Sequence, residues 1–101
     1  MVIHIVLFKW KSDAATSQVE EAMEALRAMR GVVAEIIELE CGLNFTARSR
    51  GYTHGLLVKL ADRDSLDRYQ VDPEHRKVVE NFISPFVDEV LALDFETGLG
   101  T

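Results

Sequence analysis

The stretch Gly51-Tyr52-Thr53-His54-Gly55-Leu56-Leu57-Val58-Lys59-Leu60 decides the fold of this chain. It reads as a strand over Tyr52 to Leu60, with Leu56, Val58 and Leu60 on one face and Leu57 on the other. A strand with one wet face alternates apolar and polar residues. This one does not. The first strand, Ile3 to Lys11, behaves alike: Val2, Val6, Phe8 and Trp10 share one parity, and Ile3, Ile5 and Leu7 the other. The helices of one small domain cover one face of a sheet. The second apolar face therefore calls for another cover, and a second copy of the same sheet is the simplest. A thick monomer with a loop folded across the sheet is the alternative, but no loop here is long enough.

Working outward, Ser17 and Glu20 have the spacing of a capping box, which opens a helix with Val19, Met23, Leu26 and Met29 on its inner face. Gly31 stops it. Glu35 to Leu43 reads as a strand nearer an edge, with Ile37, Leu39 and Cys41 on one side. Asn44 to Gly51 is a polar loop. Asp62 or Asp64 caps a short helix through Leu66 and Tyr69. Asp72-Pro73 starts the next helix, with Asp as N-cap and Pro at the first helical position; Val78, Val79, Phe82 and Ile83 form its buried stripe. Glu89 to Glu96 is a last strand. The order is strand, helix, strand, strand, two helices, strand. It predicts an α+β, ferredoxin-like fold: a four-stranded, mainly antiparallel sheet with helices on one face. Residues 1–97 form one domain and 98–101 a flexible tail.

The bulk numbers limit the function. The chain has 101 residues, 48% of them hydrophobic, and a net charge of −6. No basic stripe exists to meet phosphates, so nucleic acid is not an expected partner. The apolar N-terminus is too short to span a bilayer and is followed, not preceded, by Lys9 and Lys11, so neither a membrane nor a secretory role is expected. A single cysteine, Cys41, rules out an internal disulfide and suits a cytoplasmic location.

Three histidines carry the candidate chemistry. His75 stands in the first turn of the helix that Pro73 opens. The helix dipole there disfavours the protonated ring, and a neutral imidazole accepts a proton as a general base must. The plainer reading is a histidine that only caps or packs. Tyr69 lies just before the Asp72-Pro73 break, where its hydroxyl can face the same space and polarise a carbonyl; an ordinary core tyrosine would sit there too. His4 and His54 share parity with Val6 and Phe8 and with Leu56 and Val58. With the first and third strands adjacent, both rings are expected under the helices near His75, as a pocket lined by His4, His54, Val6 and Phe8. Three histidines can bind a metal, but no Asp or Glu has metal-site spacing, so a hydrogen-bonded lining without metal is expected. No phosphate-cradling loop, nucleophilic triad or dinucleotide fingerprint is present, so no cofactor is expected.

His4-Ile5-Val6-Leu7-Phe8-Lys9-Trp10-Lys11, Ser49-Arg50-Gly51-Tyr52-Thr53-His54, Tyr69 with Pro73-Glu74-His75, and Asp94-Phe95-Glu96 occur together in order. The combination resembles the Dabb family, the stress-responsive dimeric α/β-barrel domains, over nearly the whole chain. The resemblance implies a homodimer whose two sheets face each other as a barrel with helices outside. It is also distantly similar to one branch, olivetolic acid cyclase, which closes a polyketide chain by aldol chemistry. In that branch a histidine of the Pro-x-His segment is the base, assisted by an upstream tyrosine. His75 and Tyr69 match those two positions, and His4 and His54 match two further pocket histidines. Asp72 departs from the branch, which has a histidine before the proline.

Two functional readings follow. One is a homodimeric stress-responsive barrel whose small pocket takes an apolar or aromatic ligand, a carbonyl or phenolic compound, by His/Tyr acid–base chemistry. The other is a non-catalytic stable stress or interaction protein. A cofactor-free monooxygenase is a third and weaker alternative.

Overall fold

A computed structural model describes residues 1–98. The tail expected at 98–101 lies outside the described residues beyond Gly98. The elements are β1 (Val2–Trp10), α1 (Thr16–Arg27), β2 (Glu38–Leu43), β3 (His54–Leu60), α2 (Arg63–Val71), α3 (Pro73–Val78), a π-helical turn (Val79–Ile83) and β4 (Val87–Glu96). The sheet order is β2-β3-β1-β4, and every pair is antiparallel. This is the ferredoxin-like α+β arrangement that the sequence predicts. The shortest extent is 18 Å, the thickness of one sheet and one helical layer, each about 10 Å.

Register sets which residues share a face. Val2, His4, Val6 and Phe8 of β1 pair with Leu60, Val58, Leu56 and His54 of β3, and with Glu96, Asp94, Ala92 and Val90 of β4. This face meets the helices. Val58, Leu60, Leu39 and Ala22 are fully buried there, with Leu26, Met29 and Val33 nearly so. Each such aliphatic side chain contributes about 1.5–3 kcal/mol by leaving water. The opposite face carries Ile3, Ile5 and Leu7 against Phe95, Leu93 and Leu91, with Leu57 beside them. No helix among the described residues covers it, and Leu93 is 59% exposed. The two-sided apolar pattern of β1 and β3 is thus real, and on the side away from the helices Ile3 is buried while Leu91, Leu93 and Phe95 stay exposed in a single copy.

Several local expectations are corrected. α1 begins at Thr16, with Ala15 as N-cap and no cap from Ser17 or Glu20. Instead Gln18 reaches back, its Oε1 accepting from the Ala15 N–H at 2.9 Å; only half of a capping box forms because alanine has no oxygen to complete it. Gly31 does adopt a positive φ of 82°, but helix α1 has already ended at Arg27 and a turn intervenes. β2 starts at Glu38, so Ile37 lies outside it and is 49% exposed. Beyond α3 the chain widens into a π-turn, where Ser84 N–H donates to Val79 C=O at 2.8 Å. Of the stripe expected at Val78, Val79, Phe82 and Ile83, only Ile83 is fully buried, because the wider turn breaks the 3.6-residue period.

The two sheet edges differ. On β2, Arg30 donates to the Leu39 carbonyl and Arg27 to that of Cys41 at 3.4 Å. β4 is exposed along most of its length on both faces.

Candidate functional site

The site is built from the C-terminal end of α2, the start of α3 and the centre of the sheet. Asp72 ends α2 and caps α3 at once. Its Oδ1 accepts from the N–H groups of Glu74 at 2.8 Å and His75 at 3.3 Å. Pro73 fills the first helical position, where a missing N–H does no harm. His75 is therefore held in a first turn, half-buried, as its sequence position implies.

His75 Nδ1 lies 3.3 Å from the Gln70 carbonyl. A carbonyl only accepts, so Nδ1 carries the proton and Nε2 keeps its lone pair in the neutral ring. Burial is the chief cause that lowers the His75 pKa below its usual 6.5; the Gln70 bond opposes it and the nearby His4 adds to it. The ring is thus neutral at physiological pH.

Tyr69, from the last turn of α2, is 1% exposed. Its ring centroid lies 4.3 Å from that of His75, tilted at 42°. It also meets His4 edge-on at 5.6 Å and 65°. Burial, and then the Asp94 charge, push the phenol pKa well up. Tyr69 therefore stays protonated and keeps its O–H.

His4, from β1, is buried at 6% exposure, and its Nδ1 stands 2.5 Å from Asp94 Oδ1 of β4. A carboxylate accepts, so this pairing places the His4 proton on Nδ1 and fixes the ring. Sequence reasoning singles out Asp94 but does not pair it with His4. The available signal was a carboxylate set between Leu93 and Phe95 in the apolar middle of the last strand.

His4, Tyr69 and His75 line one cavity of about 230 Å³, walled by Val6, Phe8, Leu26, Leu56, Val79, Ile83, Val90 and Ala92. Five of the six expected site residues meet here: His75, Tyr69, His4, Val6 and Phe8. His54 does not. It pairs with Phe8, four residues along β1 from His4, and lines a separate groove with Trp10 and one face of α1. Among the described residues no three His, Cys, Asp or Glu side chains gather as a metal site.

The model of the stress responsive A/B barrel domain (Dabb) matches residues 2–97. The chain belongs to this family. A Dabb relative, a stress-response A/B barrel domain-containing protein of Arabidopsis thaliana, is 26% identical over 96 residues, 94% of this chain. The chain spans only 36% of the length of that relative. A dimeric ferredoxin-like protein of unknown function from Thermobifida fusca superposes with a TM-score of 0.82 at 26% identity, covering 93% of this chain and 88% of its own. The hydroxynitrile lyase of Passiflora edulis superposes at 0.84 with 18% identity, over 93% and 90% of the two chains; at that identity the likeness concerns the fold alone. No helix among the described residues is long and apolar enough to cross a membrane.

Proposed function

We propose that this Dabb domain works as a homodimer whose cavity binds a small, partly apolar carbonyl or phenolic compound and moves a proton on it. His75 Nε2 takes a proton from the carbon or hydroxyl beside the carbonyl. The Tyr69 hydroxyl donates a hydrogen bond to the oxygen on which negative charge develops. The His4–Asp94 pair holds the floor of the cavity and keeps the Tyr69 ring in place.

The observation that carries this reading is the contact of Tyr69 with both imidazoles, with the His75 proton committed to the Gln70 carbonyl. A proton acceptor and a proton donor thus share one largely apolar cavity. The Passiflora neighbour, named a hydroxynitrile lyase, supports catalysis as a use of this fold. The bare apolar face around Ile5, Leu7, Leu91 and Leu93 supports the homodimer, as does the dimeric Thermobifida neighbour. The free thiol of Cys41 supports a cytoplasmic location.

The test is a ligand screen by melting temperature, since a compound bound only to the folded form raises it. Small aryl and alkyl carbonyl compounds and phenols are expected to raise the melting point of the wild-type protein and to be turned over or exchanged at the α-carbon. Binding without turnover or exchange in any compound of the set would leave a non-catalytic binding protein and overturn the acid–base part.

A further inference from the structure

At the other end of the sheet's helix side, one face of α1 from Thr16 to Arg27 and the ends of β1, β2 and β3 enclose a groove of about 590 Å³. This exceeds the 230 Å³ of the cavity and falls in the range of small-molecule sites, about 300–1,000 Å³. Trp10, Val19, Met23 and Leu43 form its apolar wall. Phe8 lines the cavity and Trp10 the groove, and the two rings stack at 5.5 Å and 12° as a partition.

His54 is the polar ring of this groove, and the Trp10 indole fixes its orientation. Trp10 Nε1 donates to His54 Nδ1 at 3.0 Å. The Thr53 hydroxyl also lies 2.8 Å from Nδ1, where it can only share the single lone pair that the indole uses. The neutral ring then carries its proton on Nε2. Burial, and then the charge of Arg27, lower the His54 pKa, so the ring stays neutral at physiological pH. The indole bond holds the ring and leaves Nε2–H as the donor for a ligand.

We propose that the groove is a second binding site, separate from the His75 cavity, for a neutral compound with a flat apolar body and a carbonyl oxygen. The oxygen accepts from His54 Nε2–H, and the apolar body lies on Trp10. The charges on the rim disfavour an anion. Arg27 is engaged by Glu24 at 3.0 Å and by the Cys41 carbonyl. Glu20 adds a further carboxylate to the lining, so an anion is repelled. A ligand offering only donors meets another donor at His54. The proposal does not depend on catalysis at His75.

The chain has one tryptophan, so its indole N–H signal in a proton–nitrogen spectrum reports on this groove. The probe is 4-phenyl-2-butanone, with 4-phenylbutanoate as the anionic control. The ketone is expected to shift the Trp10 indole signal saturably, equally in wild type and in His75→Ala, and to bind at least tenfold more tightly than the acid. His54→Phe keeps a ring but removes the donor, and should weaken the ketone about tenfold. Leu43→Ser alters a residue that is 69% exposed, so the fold is kept, and should weaken it severalfold. The proposal is overturned if the ketone leaves Trp10 unmoved, if the acid binds equally well, or if Leu43→Ser and a folded His54→Phe both bind like wild type.

Discussion

Asp94 reaches across the β1–β4 ladder to place its Oδ1 2.5 Å from Nδ1 of His4. His4 is buried, whereas the Asp94 side chain is 35% exposed. The pair therefore joins the cavity floor to the outer edge of the sheet. Asp94→Ala leaves a buried ring nitrogen without its acceptor, which costs about 1–3 kcal/mol. Asp94→Asn retains an oxygen that accepts from Nδ1–H and should cost less. Urea unfolding of the two variants checks the order, and equal stability of Asp94→Ala and wild type would remove the pair from the structural account.

His75 is expected to be the position most sensitive for turnover, and Tyr69 the next. Loss of a general base lowers rate by about a hundredfold to ten-thousandfold. His75→Ala should show a fall of that order with a nearly unchanged melting temperature, because the half-buried ring is not part of the apolar core. Tyr69→Phe keeps the ring that packs on both histidines and removes only the hydroxyl, so its loss should be smaller. Normal turnover by His75→Ala would refute the assignment of the base.

Stability should fall on mild acidification. The pKa values of His54 and His75 are both lowered in the folded chain from 6.5. As pH drops through 6.5, the unfolded chain takes up protons that the folded chain does not, so folding loses free energy until the folded rings titrate in turn. The melting temperature should be steady above pH 7 and decline from about pH 6.5 downward. His75→Gln should flatten part of that slope. The same neutral His75 predicts an acid limb of any pH–rate profile lying below 6.5. A melting temperature flat from pH 7 to 5 would contradict both shifts.

Ile5 stands at the centre of the uncovered sheet face, opposite Leu57 and Leu93. A charge there is hard to bury against a second copy, whereas the helix face is untouched. Ile5→Glu should give monomeric or insoluble protein, while wild type sediments as a dimer at micromolar concentration. A folded wild-type monomer under those conditions would refute the homodimer.

The sheet was legible because period-two patterning in β1 and β3 is strong on both parities. The start of α3 was legible because Asp72 and Pro73 act locally, through one side-chain oxygen and one missing N–H. The position of His54 was not. Parity gives the face of a strand but not the place along it, and the register opposite Phe8 puts His54 about 13 Å from the level of His4. The pairing of Asp94 with His4 was hidden for a related reason, since the two lie ninety residues apart in sequence. The π-turn escaped because a five-residue widening leaves no mark in an apolar stripe read with the α-helical period.

Arg27 and Arg30, lying along β2 on the carbonyls of Cys41 and Leu39, bear on how copies of the chain can add to one another. An open strand edge invites the next molecule to continue the sheet, and the next after that, without end. Guanidinium groups along one edge interrupt that growth, since an incoming strand would have to displace them. The apolar area left for association is then a face, and a face that pairs with its own twin is used up by a single partner. The two arginines therefore favour a finite particle over a fibre, and replacing both with alanine should shorten the lag before aggregation on heating.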